Sequence, residues 1–127
     1  VLIQGDIKPW SGMLGTTFGG NYLASVAALA VLEVIERENL INNAADMGDY
    51  LMAELREFPI ITDLRGRGLM IGIDIPETHK QLRTNLLQKH RIFTGEAKPN
   101  TVRLLPSLAL TKDEIDIFLN ALNEELK

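Results

Sequence analysis

A chain of 127 residues is long enough for one hydrophobic core and too short for two ordinary domains. With 46% hydrophobic residues, 24% charged residues and only 5 prolines, its composition excludes a disordered chain. A net charge of −4, with no basic cluster beyond the spaced Arg65 and Arg67, gives no electrostatic footprint for nucleic acid, and the absence of Cys excludes disulfides and thiolate metal sites.

The first residues, Val1 to Gln4, open on an apolar run with no Met, no basic region and no cleavage pattern, so the chain reads as a piece of something longer. Val1 to Ile3 reads as the end of a buried strand, and Gly5, Asp6, Pro9 and Gly12 make the segment up to residue 20 mostly loop. From Asn21 to Ile35 almost no polar face remains, which predicts a helix buried on all sides. A small domain cannot surround such a helix, so a larger partner, from the same chain or another, is expected to cover it.

Leu40, Ala44, Gly48, Leu51, Met52 and Leu55 recur at helical spacing and predict a second, amphipathic helix before Pro59, with Met47 and Met52 on or beside its buried stripe. Ile60 to Leu64 and Leu69 to Ile75 read as two strands about the turn Arg65-Gly66-Arg67-Gly68, in which the arginines are solvated or support the hairpin. A short helix near Lys80 to Lys89 uses Leu82, Leu86 and Leu87 as its buried face, and strands at Arg91 to Thr94 and Val102 to Leu105 flank a polar loop. The last helix opens with a capping box, Thr111 to Glu114, and carries the stripe Ile115, Phe118, Leu119, Leu122 and Leu126. His79 and His90 read as surface residues near helix ends and form no metal site. The order predicts an α/β unit: a helical arm, then a short, largely antiparallel sheet with helices on one face.

Two segments can carry chemistry. In Gly15-Thr16-Thr17-Phe18-Gly19-Gly20-Asn21 the glycines can turn amides inward, the hydroxyls add donors, and the following helix N-terminus contributes positive potential, so an anion can sit there. The alternative is a plain turn in which Thr or Asn caps the helix. In Thr101-Val102-Arg103-Leu104-Leu105-Pro106, Arg103 is a cation in an apolar strand; it must meet a carboxylate of the protein or lie at the edge of a cleft, where it can take a substrate carboxylate.

The run Gly12 to Asn21 with Leu23-Ala24 and Ala27 to Leu32, then Arg65-Gly66-Arg67-Gly68-Leu69-Met70-Ile71-Gly72, then Val102 to Pro106, resembles the class III pyridoxal-phosphate aminotransferases over essentially the whole chain. The likeness is closest to the acetylornithine and succinylornithine branch; ornithine and 4-aminobutyrate aminotransferases share much of the framework. It implies the C-terminal part of a fold type I enzyme. Residues 1–20 would end a large-domain strand and form the cofactor-phosphate loop, 21–58 would be the long buried helix and its connecting helix, and 59–127 the small C-terminal α/β domain. It also implies a cytoplasmic homodimer with a shared active site, which binds pyridoxal 5'-phosphate and transfers an amino group between N-acetylornithine and 2-oxoglutarate or glutamate, as in arginine biosynthesis. Thr17 would contact the cofactor phosphate of the neighbouring subunit, Thr16 would lie near the substrate, and Arg103 would hold a substrate carboxylate. The lysine that binds the cofactor covalently would lie upstream of Val1, so this segment alone is expected to be inactive. Tyr22, where the family commonly has proline, and Ser107, in a usual Pro-Pro pair, depart from the pattern without removing a contacting group. Two other readings remain: a stand-alone small-molecule binding or regulatory domain using the same loop and Arg103, and a dimerisation module whose interface is the apolar helix. No membrane partner is expected.

Overall fold

The computed structural model describes residues 5, 6, 8, 10–13, 15–97 and 100–126. The expected strand at Val1 to Ile3 lies outside them. Asn21 caps the first helix, α1 (Tyr22–Arg37): its side-chain oxygen accepts the Ala24 N–H at 2.9 Å while its amide nitrogen donates to the Phe18 carbonyl at 2.6 Å. The helix is apolar all round as expected, yet among the described residues none of α1 is fully buried; Leu23 is 81% exposed and Val26, Leu29 and Leu32 are also open to solvent. Among the described elements it packs against α2 (Leu40–Leu55), after a corner at which Asn39 adopts the left-handed conformation its short polar side chain tolerates.

Helix α2 buries Ala44, Gly48, Leu51 and Leu55, a stripe that faces the sheet. Gly48 is required there. A Cβ on it would stand 2.4 Å from the Gly68 carbonyl oxygen, so the tip of the following hairpin seats directly on the helix backbone.

The sheet contains β1 (Asp63–Arg67), β2 (Met70–Asp74), β3 (Gly95–Ala97) and β4 (Thr101–Leu104) in the order β1-β2-β4-β3, with every neighbouring pair antiparallel. Strand alternation sends Ile71, Ile73, Val102 and Leu104 to one face. There they meet Leu51 and Leu55 of α2, Leu82 and Leu86 of α3 (Leu82–His90), and Ile115, Phe118 and Leu122 of α4 (Lys112–Glu125). This is the expected layer of helices on one face of an antiparallel sheet. The opposite face carries Arg65, Gly72, Asp74, Thr101 and Arg103.

Several boundaries differ from the sequence reading. The hairpin turns at Gly68-Leu69, so Arg65 and Arg67 belong to β1, which begins only at Asp63. Residues Arg91 to Thr94 are not a strand. Arg91 takes a left-handed conformation and its N–H bonds to the Leu87 carbonyl at 3.1 Å, an αL-type closure, and the Ile92 N–H bonds to the Leu86 carbonyl at 2.9 Å, so these residues end α3. The strand follows at Gly95. Leu87 is 48% exposed and does not share the buried face of Leu82 and Leu86.

At the start of α4 the capping box is formed: the Thr111 hydroxyl accepts the Glu114 N–H and the Glu114 carboxylate accepts the Thr111 N–H at 2.8 Å. Near its end Glu125 joins α4 to α3, accepting from Asn85 at 2.7 Å and from Lys89 at 3.0 Å, with His90 Nε2 also at 3.0 Å. His90 is therefore a half-buried tie between helices, not a free surface group. His79 ends a 3₁₀ turn, Glu77–His79, as expected of a residue near a helix end.

Candidate functional site

The helix-free face of the sheet is a trough because its middle position is Gly72. A cleft of about 420 Å³ lies on it, bordered by Arg65, Arg67, Met70, Gly72, Thr101 and Arg103. Its arginines have different roles. Arg65 donates through Nη1 to Asp74 at 2.8 Å and to Asp63, and through Nη2 to Thr101 at 3.0 Å. These bonds, to Asp74 first and Asp63 second, raise its already high pKa further. The Asp74 carboxyl is held below the usual carboxylate range, by Arg65 first and then by the Thr101 hydroxyl. Arg65 thus supports the hairpin, one of the roles its sequence position suggested.

Arg103 is different. It projects from β4 as an exposed side chain, and among the described residues no carboxylate pairs with it. Among the described residues the internal ion pair considered from the sequence is not made, and Arg103 lies at a cleft edge. It borders the trough on one side and, on the other, a more apolar cleft of about 340 Å³ formed with Phe93, Thr94, Leu105, Glu114 and Phe118. An unpaired guanidinium beside apolar walls offers two parallel donors to a carboxylate in a setting that strengthens the contact.

Thr16 and Thr17 lie in the exposed turn before α1, where the Gly19 N–H bonds to the Thr16 carbonyl at 3.3 Å. Asn21 is the residue that caps the helix, so neither threonine hydroxyl serves that purpose. The Thr16 methyl folds over Gly19, where an added Cβ would meet it at 2.1 Å. Thr17 is exposed, and among the described residues its hydroxyl has no hydrogen-bond partner. Thr16 and Thr17 line neither of the clefts that Arg103 borders.

Sequence reasoning did not single out Asp74 and Thr101, which hold Arg65. Their signal was present in the alternation: once Gly72 is placed opposite Arg103, Asp74 and Thr101 must face each other. Among the described residues no cluster of three or more potential ligands could hold a metal, and no helix is long and apolar enough to cross a membrane.

The apolar helix and the small antiparallel α/β layer that follows it have the fold of part of the fold type I transferases. The profile described as Aminotransferase class-III matches residues 3–126, and the chain belongs to that family, whose members depend on pyridoxal phosphate. It is 39% identical over 117 residues to an ornithine aminotransferase of Exiguobacterium, covering 91% of this chain and 29% of that protein. It is 41% identical over 102 residues to the acetylornithine aminotransferase of Archaeoglobus fulgidus, covering 80% of this chain and 26% of that one. Among solved structures, the lysine aminotransferase of M. tuberculosis superposes with a TM-score of 0.80 at 36% identity, over 91% of this chain and 28% of its own. The chain thus spans less than a third of the length of each.

Proposed function

We propose that this chain is the C-terminal part of a pyridoxal-phosphate aminotransferase that takes an amino group from N-acetylornithine and passes it to 2-oxoglutarate, in the cytoplasm and in arginine biosynthesis. The single observation that carries a transferase role for these residues is Arg103, an exposed guanidinium at the meeting of two clefts with no carboxylate paired to it among the described residues. The family match supplies the reaction class, and the relatives' names supply the substrate class. Ornithine itself is the second reading, favoured by the ornithine aminotransferase that covers more of this chain than the acetylornithine enzyme does.

The cofactor, when bound, withdraws electrons from the substrate carbon and so makes its proton removable. This chain's residues bind and orient. The Thr17 hydroxyl would donate to the cofactor phosphate of a neighbouring subunit, while Thr16 would border the substrate. Arg103 would fix a substrate carboxylate so that the reacting carbon is presented in one orientation, a proximity contribution. The apolar face of α1 would be covered by the remainder of the longer protein and its partner in a homodimer, and the lysine that binds the cofactor would lie in that remainder. Two threonines that border neither Arg103 cleft are consistent with one active site assembled from two subunits.

The test is an assay of the full-length protein for glutamate formed from 2-oxoglutarate with N-acetylornithine, N-succinylornithine, ornithine or 4-aminobutyrate as donor. The proposal expects the highest kcat/KM with N-acetylornithine. A preference for free ornithine would move the protein to the second reading, and no transfer from any donor would refute the aminotransferase assignment.

A further inference from the structure

Arg103 stands between two glycines. Its antiparallel partners are Gly72 on β2 and Gly95 on β3, so neither neighbour puts a side chain on the face from which the guanidinium projects. The two glycines are not equivalent. A Cβ on Gly72 would meet the Thr101 methyl at 3.3 Å and Arg65 at 3.8 Å. A Cβ on Gly95 would lie 3.1 Å from Arg103 Nε, 3.2 Å from the Arg103 carbonyl oxygen and 3.4 Å from the Arg103 Cβ. Directly opposed Cβ atoms in antiparallel sheets ordinarily stand about 4.5–5.5 Å apart. The stem of Arg103 therefore lies across β3, over the space a side chain at position 95 would fill. Gly95 is not among the glycines with positive φ, so its backbone does not call for glycine. The close approach of Arg103 does.

We propose that Gly95 is a positioning residue for Arg103: its bare backbone sets the direction in which the guanidinium leaves the sheet, and so where a substrate carboxylate is held. The inference rests on the reading of Arg103 as the carboxylate-binding residue. With Gly95 bare, Arg103 leans over the edge strand and reaches the boundary between the trough and the apolar cleft. A methyl at position 95 would push the stem back over Gly72, toward the guanidinium of Arg65 and away from that boundary. The Nε contact can yield by rotation of the side chain, which redirects the guanidinium, whereas the carbonyl-oxygen and Cβ contacts ask a small shift of β4 itself. Binding groups lose effect steeply when displaced by more than about 0.5 Å.

In the full-length enzyme, kcat, the KM for 2-oxoglutarate and the inhibition constant of glutarate, an unreactive dicarboxylate, are measured for Gly95→Ala, Gly95→Val, Arg103→Ala and the double variant Gly95→Ala with Arg103→Ala. Gly95→Ala is expected to raise both the KM and the inhibition constant roughly three- to tenfold, with the melting temperature lowered by about a few degrees at most, and Gly95→Val to raise them further. In the Arg103→Ala background, Gly95→Ala should add nothing. If Arg103→Ala weakens dicarboxylate binding and Gly95→Ala does not, the positioning role is overturned and the reading of Arg103 stands. The same effect of Gly95→Ala in both backgrounds would also overturn it, because the glycine would then act on the sheet and not through Arg103. If Arg103→Ala changes nothing, both fall together. Should Gly95→Ala not fold, a crystal structure of the unaltered full-length enzyme decides the matter: an Arg103 stem lying away from Gly95 refutes the inference.

Discussion

Arg65 and Asp74 meet fork to fork across the β1–β2 hairpin, Nη1 donating to Oδ2 at 2.8 Å and Nη2 to Oδ1 at 3.1 Å. They are not register partners. Asp74 stands opposite Asp63, and Arg65 stands opposite Gly72, so the guanidinium reaches diagonally over the empty position and lies between two carboxylates that would otherwise face each other. Like charges directly opposite across strands repel. Removing the cation should therefore cost more than the loss of one exposed ion pair: Arg65→Met is expected to lower the melting temperature of the full-length protein by a few degrees, and adding Asp63→Asn should restore part of the loss. Thermal melts of the single and double variants check this. An absence of rescue would mean that Asp63 and Asp74 do not strain each other.

Glu125 gives a pH-dependent prediction. Its side chain is nearly buried, and its pKa is lowered by the contact with His90 first and Lys89 second, with Asn85 adding to them. A carboxyl whose folded pKa is below its unfolded value adds stability above the unfolded value, about 4.3 for Glu, and loses it as pH falls through the folded value. Glu125→Gln should therefore melt lower than the parent at neutral pH, and the gap should narrow only in acid, below the ordinary glutamate range. Parallel melts from pH 7 downward test it; a gap of constant size would show that shape, not charge, ties α3 to α4.

Elements held by local chemistry were legible in the sequence. The α4 capping box needs only Thr111 and Glu114, three residues apart, and both contacts are present. The apolar pattern of α1 likewise announced a helix that this chain could not cover by itself, and its exposure agrees. Features decided by tertiary geometry were not legible. Arg91 to Thr94 has the composition of a strand, but the left-handed turn at Arg91 and the bond from Ile92 to Leu86 commit it to ending a helix. For Arg103 the apolar neighbours Val102 and Leu104 left an ion pair and a cleft edge both open, and alternation places those two in the core and Arg103 on the opposite face. The partnership of Arg65 with Asp74 depended on a register that no local pattern specifies.

Arg103 tests the proposed carboxylate site without removing its charge. Lysine keeps a cation but loses the paired donors that match a carboxylate. In the full-length enzyme Arg103→Lys is expected to raise the KM values for glutamate and 2-oxoglutarate by about tenfold or more, since hydrogen bonds to charged groups contribute about 1.5–3 kcal/mol, while cofactor retention changes little. Steady-state kinetics alongside cofactor titration separates the two. Lost thermal stability with unchanged KM values would instead show that Arg103 pairs with a carboxylate of the complete protein.

Thr17 tests the proposed sharing of the active site. Thr17 is exposed and Asn21 caps α1, so among the described residues the Thr17 hydroxyl has no bonded partner. Thr17→Val keeps the β-branched shape and deletes one donor to a charged phosphate, a contact typically contributing about 1.5–3 kcal/mol. Cofactor affinity in the full-length dimer should fall by roughly one to two powers of ten. If the contact crosses the interface, subunits carrying Thr17→Val can be mixed with subunits lacking the catalytic lysine. Each heterodimer then has one site in which a lysine-bearing subunit meets an intact Thr17 from its neighbour, and activity should rise above that of either parent. If Thr17 served its own subunit, the lysine-bearing site would keep its valine and no recovery would follow. Heterodimers shown to form by mass, yet no more active than the parents, would confine Thr17 to its own chain and remove the argument that this loop completes a neighbour's active site.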